Sequence, residues 1–176
     1  MPKAVFVDRD GVLNRPIVRS GKLLPPAGLD ELQLLPGVAE ACAALRTAGF
    51  LVIVVTNQPD VARGTQNRQT VETIHKVIRE KVPLDDIRVC YHDDADGCEC
   101  RKPKPGLLLE AAKDWDIDIG RSFLVGDRWK DIEAARNAGC RAVQVENGHP
   151  EKEDGSVSPD LRVPSLKEAA DWILQR

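Results

Sequence analysis

The 176-residue chain is expected to fold as an α/β protein, a doubly wound (Rossmann-like) parallel sheet flanked by helices, and three observations carry that expectation. Short runs rich in β-branched residues alternate with stretches of helical periodicity. The runs are apolar throughout, the mark of strands covered on both faces. Two of the helical stretches stop at a glycine, Gly49 and Gly139, where a left-handed residue can end a helix without a Cβ penalty.

In chain order, AVFV at 4–7 is the first strand, and RPIVRSGKLLPPAGLDELQLL at 15–35 follows as a long excursion interrupted by prolines. A helix near 37–48 leads to the strand LVIVV at 51–55, and a helix near 66–82 leads to IRVCY at 87–91. Helices near 105–115 and 130–138 flank the strand SFLV at 122–125, and RAVQV at 141–145 is the last strand expected. The polar stretch 147–164, rich in proline and glycine, reads as a surface loop. A final helix fits Ser165 to Leu174, with Ser165 as N-cap and Glu168 three residues on as a capping box.

A hydrophobic content of 42% suits one core, so residues 1–176 are expected to form a single domain without a large cap. A formal charge of −3 supplies no basic field for nucleic acid. No apolar run reaches the roughly 18 residues of a membrane span, and MPKAVFVDRDG meets acidic residues too early for a secretory signal. A cytoplasmic monomer is therefore expected. The five cysteines do not form the even framework of a secreted domain; Cys42 and Cys140 fall in apolar surroundings as core residues.

The chemistry collects where strands end. In open α/β sheets, ligands bind outside the carboxyl ends of the strands. Here Asp8 and Asp10 follow the first strand, Thr56 the second, and Asp127, in FLVGDRWKD, another. Taken alone, the Asp8–Gly11 stretch fits a turn, Asp127 an N-cap, and Asp131 either a cap or a group that orients a metal-bound water. Their convergence on one edge is harder to explain without a site. Carboxylates brought together repel and call for protons or a cation, and hard oxygen donors suit Mg²⁺. The basic run RKPKPG at 101–106 offers Lys102 or Lys104 to counter phosphate charge. Acid, metal and lysine together suggest phosphoryl transfer.

A second constellation lies just upstream. CYHDDADGCEC at 90–100 places Cys90, His92, Cys98 and Cys100 within one loop. Four such donors suit tetrahedral Zn²⁺ with no open position, hence a structural site that would stiffen the approach to Arg101 and Lys102. His75 and His149 read as surface or packing residues.

The ordered motifs DRDGVLN, VVTNQ, RKPKPG and VGDRWKD resemble those of the haloacid dehalogenase superfamily of phosphatases, over about residues 4–145. VVTNQPDVARG and the CRKPKPG that follows the Cys/His cluster are most similar to the heptose-bisphosphate phosphatase branch, with histidinol-phosphate phosphatases as near relatives. The resemblance implies that Asp8 is a nucleophile forming an aspartyl-phosphate, and that Asp10 is the general acid and base. It implies that Thr56 and Lys102 hold the transferring phosphoryl group, with Lys102 preferred over Lys104. It implies Mg²⁺ on Asp8, Asp127 and the backbone carbonyl of Asp10, and Zn²⁺ on the four-residue cluster.

Asn57, Gln58, Arg63, Arg101 and Arg128 complete the expected substrate-binding set for a small phosphorylated sugar. Arg15, Arg19 and Lys22 add further positive charge that a second phosphate would use. The short His92–Cys98 spacing favours histidinol phosphate, whereas ARG at 62–64 favours the heptose substrate. A zinc-stabilised binding module is the non-enzymatic alternative.

Overall fold

The computed structural model describes residues 1–148 and 157–176. In chain order it contains β1 (Lys3–Val7), β2 (Ile17–Arg19), β3 (Lys22–Leu24), α1 (Val38–Thr47), β4 (Phe50–Asn57) and α2 (Arg68–Lys81). There follow β5 (Asp86–Cys90), α3 (Gly106–Asp114), β6 (Phe123–Gly126), α4 (Trp129–Ala138), β7 (Arg141–Val145), β8 (Leu161–Val163) and α5 (Leu166–Ile173). The apolar runs become a six-stranded sheet of order β5-β4-β1-β6-β7-β8 in which every pair is parallel.

Burial on both faces explains why the strands carry no polar alternation. Val5 and Val7 point into a core with residues of α1, α2 and α5, among them Leu45, Ile74 and Ile173. Ala4 and Phe6 point into the opposite core, closed by α3 and α4 through Leu108, Ile132 and Ala135. Cys42 and Cys140 lie buried in these two cores, and burial pushes each thiol up to about 12. Among the described residues no helix is long and apolar enough to cross a membrane.

Two segments differ from the sequence-based expectation. Within 15–35 the chain forms a β-hairpin of β2 and β3, turned by Ser20 and Gly21, whose φ values of 51° and 71° match a type I′ hairpin turn. Three-residue strands are too short for periodicity to show them. Within 147–164, Leu161–Val163 is no loop but a parallel edge strand on β7, and the Asp160 carboxylate secures its start by accepting a 2.7 Å hydrogen bond from the Ala142 amide. His149 lies outside the described residues. Ser165 caps α5 as expected, accepting from the Lys167 amide, while Glu168 meets its hydroxyl.

The chain runs outward from β1 through β4 to β5, then crosses back to β6 on the other side of β1. This reversal makes the β1/β6 ends the topological switch point, where an open α/β sheet forms its crevice. Leu45 is fully buried beneath this frame. Leu45→Ala is expected to cost about 2–5 kcal/mol of stability through lost transfer energy and a residual cavity, read as a lower midpoint in urea unfolding.

Candidate active site

Asp8 follows β1 directly, its amide held by the Val125 carbonyl of β6 at 2.9 Å. One carboxylate oxygen accepts a hydrogen bond from Lys102 Nζ at 2.9 Å. The same ammonium donates to Asp131 Oδ1 at 2.6 Å and to the Val55 carbonyl at 2.8 Å, so its three protons have three partners. Lys102 is only 3% exposed. Burial alone would lower its pKa; the facing Asp131 and Asp8 carboxylates outweigh burial and raise it, so the ammonium stays charged. Lys104 points away, toward the Cys98 carbonyl and Glu99. Of the two lysines in the basic run, Lys102 is the one that faces the acidic group.

Asp131 caps α4, the first of the two roles that the sequence left open, by accepting from the Arg128 amide at 3.1 Å, and it faces Lys102 as well. It also joins Asp8 and Asp127 in a group whose oxygens lie within 4.8 Å of one another. Asp127 follows β6 and accepts from Asn147 Nδ2 at 3.0 Å, whereas its Oδ1 is buried with no hydrogen-bond partner among the described residues. Burial and the neighbouring carboxylates raise Asp127 well above the usual carboxylate range and Asp8 to about 6. One lysine is too little positive charge for three carboxylates. An orphaned oxygen and a hard-donor cluster fit a divalent cation such as Mg²⁺.

The strand alternation that would have crowded Asp8 and Asp10 together is avoided because β1 ends at Val7. Gly11, at φ +90°, turns the chain, and a Cβ there would come within 2.1 Å of the Asp127 carboxylate. Asp10 then enters a different environment. It accepts from Arg9 through Nε at 3.2 Å and Nη2 at 2.9 and 3.0 Å, from Asn14 Nδ2 at 3.0 Å, and from Gln58 Nε2 at 2.9 Å. Burial pushes this carboxyl up, but Arg9 and the amide donors outweigh burial and hold it below its ordinary value. The first two acidic residues thus differ in proton affinity by construction.

Gln58 also donates to Thr56 Oγ1 at 3.0 Å, and Asn57 exchanges two 3.1 Å hydrogen bonds with the backbone of Lys102. The cleft above these groups is lined by Asp8, Asp10, Asp127, Arg63, Arg101 and Arg128, with Pro16, Leu23, Leu24 and Pro25 of the hairpin segment opposite. Arg63 forks onto Asp93 with two 2.7 Å bonds and reaches Asp60; Arg101 binds Asp94 at 2.7 Å. The wider basic set divides: Arg19 pairs with Glu31, and Arg15 faces a second cavity with Val18 and Lys167. Neither of these two lines the cleft.

The Cys90, His92, Cys98 and Cys100 donors converge within 4.8 Å, and none of the cysteines is in a disulfide. The Cys90–Cys98 sulfur separation is 3.7 Å. A tetrahedron with metal–sulfur bonds of about 2.3 Å has edges of about 3.8 Å; the Cys90–Cys98 pair matches that edge, whereas Cys90 and Cys100 lie closer, at 3.0 Å.

A HAD-hydrolase-like family model matches residues 99–169. A D-glycero-β-D-manno-heptose-1,7-bisphosphate 7-phosphatase from Pasteurella multocida is 37% identical over 98% of this chain and 97% of that protein. The enzyme of the same name from Pseudomonas aeruginosa is 37% identical, covering 97% of each chain. The chain belongs to the haloacid dehalogenase-like phosphatases. The fold agrees: the crystal structure of D,D-heptose 1,7-bisphosphate phosphatase from B. bronchiseptica, complexed with magnesium and phosphate, superposes with a TM-score of 0.84 at 32% identity, covering 98% of both chains.

Several residues that shape this phosphatase cleft escape sequence reasoning. Arg9 and Asn14 flank Asp10 inside DRDGVLN, where proximity was the available signal. Asn147, Asp93 and Asp94 reach their partners Asp127, Arg63 and Arg101 only through tertiary contact, and Lys130 joins the cleft lining from α4. Gly126 is a further case, since a Cβ there would lie 2.2–2.4 Å from the Asp131 side chain. Gly126→Ala is expected to displace Asp131 and to cost about 1–3 kcal/mol, measured by denaturant unfolding.

Proposed function

We propose that residues 1–176 act as one catalytic domain, a Mg²⁺-dependent phosphomonoesterase that removes the 7-phosphate of D-glycero-D-manno-heptose 1,7-bisphosphate. The observation that carries this reading is the separation of two carboxylates at the switch point: Asp8 held by Lys102 beside Asp127, and Asp10 held apart by Arg9, Asn14 and Gln58. The relatives' names supply the substrate class.

In this reading an oxygen of Asp8 attacks phosphorus, the bond to the sugar oxygen breaks, and an aspartyl-phosphate forms. Asp10 gives its proton to the departing alkoxide. Its low proton affinity in the empty cleft suits the second step, in which it takes a proton from water as the water oxygen attacks phosphorus and frees Asp8. For the first step the arriving phosphate, as a like charge, raises the proton affinity of Asp10. Lys102 and the Thr56 hydroxyl hold the phosphoryl oxygens. Asp8, Asp127 and the Asp10 carbonyl would hold Mg²⁺, whose charge offsets repulsion between the nucleophile and an anionic phosphate. Arg63, Arg101 and Arg128 at the cleft, with Asn57 and Gln58, would receive the rest of the substrate, including its second phosphate.

Zn²⁺ on Cys90, His92, Cys98 and Cys100 would fix the loop that leads into Lys102, a structural role for a closed thiolate-rich set. Five unpaired cysteines accord with work in a reducing compartment such as the cytoplasm. The short His92–Cys98 spacing points to histidinol phosphate; the names of the full-length relatives point to the heptose, and that substrate is preferred here.

Asp8→Asn removes the nucleophile with little change in volume, so turnover should vanish while the far-ultraviolet circular dichroism stays native; near-normal hydrolysis would defeat the covalent route. Arg101→Ala should raise KM for the bisphosphate by about 10- to 100-fold, the worth of a charge-assisted phosphate bond, with a smaller effect on a small monophosphate. Equal losses, or wild-type preference for histidinol phosphate, would reject the heptose assignment alone.

The raised carboxyls add a pH dependence. With Asp8 at about 6 in the folded state against an ordinary 3.8, the native protein binds more protons between these values, so stability falls as pH rises through that window. Added Mg²⁺ should counter this charge crowding. Its gain in melting temperature is expected to be larger near about pH 7.5 than near about pH 4.5, where protons compete for Asp8 and Asp127.

A further inference from the structure

Arg9 is the largest side chain to be buried almost completely, at 1% exposure, and the phosphatase reading gives it no chemical step. A guanidinium so enclosed cannot turn to water, and among the described residues it forms an ion pair with Asp10 at 2.9 Å. Its remaining terminal nitrogen, Nη1, lies 3.0 Å from Nε2 of His75 on α2. Arginine can only donate, so His75 Nε2 must accept and the ring must be the neutral tautomer protonated at Nδ1. Burial, with Arg9 next to it, pushes His75 down to about 3, which keeps the ring in that neutral form at ordinary pH.

We infer that His75 is a positioning residue: through Arg9 it fixes the direction in which the Asp10 carboxylate faces the leaving group. Three links of about 3 Å run from the helix to the carboxylate, His75 to Arg9 Nη1 and Arg9 Nη2 to each oxygen of Asp10. Asn14 and Gln58 add donors from two other directions. Without an acceptor at position 75 the guanidinium keeps an unpaired buried N–H, and relief comes by rotating the fork, which turns Asp10 with it. Proton transfer depends steeply on such alignment, because the donor must lie within hydrogen-bond reach of the leaving oxygen.

The inference rests on Asp10 acting as the acid, and the test separates the two claims. An alkyl phosphate expels a basic alkoxide that needs a proton, whereas 4-nitrophenyl phosphate expels a stable phenolate that does not. His75→Leu, which removes the acceptor, should lower kcat/KM for an alkyl phosphate by about tenfold or more while leaving that for 4-nitrophenyl phosphate within about twofold of wild type. His75→Gln, with a side-chain carbonyl that can accept from Arg9, should restore the alkyl activity. If His75→Leu is insoluble, His75→Asn, whose carbonyl is too short to reach Arg9, carries the same expectation.

Asp10→Asn should show the same split between substrates, only larger. If it shows no split, the acid role of Asp10 is wrong. If it shows the split and the His75 variants lose both activities equally, or lose only melting temperature, His75 serves folding alone and the inference is overturned.

Discussion

The whole site hangs on one buried ammonium. Lys102 comes from a loop, yet its three donors are spent on Asp8 after β1, Asp131 on α4 and the Val55 carbonyl of β4. Removing one member of such a buried set typically costs about 3–5 kcal/mol, because the remaining charges have no water to turn to. The lysine therefore ties three elements of the switch point together and sets where Asp8 stands. Its own position is fixed by Asn57, which grips its backbone, and the four-donor cluster lies in the loop just before it.

Around that ammonium, two aspartates separated by a single residue acquire opposite tendencies. Asp8 sits among carboxylates and is pushed toward its protonated form; Asp10 sits among five donor contacts and is held ionised. Environment, not residue type, sets these tendencies, and Gly11 allows the division by turning the chain where no Cβ would fit.

A second tier holds the first. Asp93 and Asp94, on the four-donor loop, grip Arg63 and Arg101 at the cleft mouth, so that ordering the loop also orders the cationic rim. The Ser20–Gly21 hairpin brings Leu23, Leu24 and Pro25 across the cleft, and Gln66 reaches the Pro26 carbonyl at its base. The rim and the hairpin supply what the sheet edge lacks, a wall across the cleft.

The sequence by itself determined the layers, the alternation of the five long strands with helices, and the clustering of Asp8, Asp10, Thr56 and Asp127 at strand ends, because hydrophobic periodicity and strand polarity are local properties. It also showed the Cys90, His92, Cys98 and Cys100 set, whose members lie within eleven residues. The tertiary structure alone put Lys102 against Asp8 and Asp131 and Lys104 against Glu99, gave Asp131 its double use, paired Arg19 with Glu31, and paired Arg9 with His75 across 66 positions. Those choices depend on which groups meet after the chain has closed on itself. Burial then sets the strength of each charge, and neither the meeting nor the burial is written in local spacing.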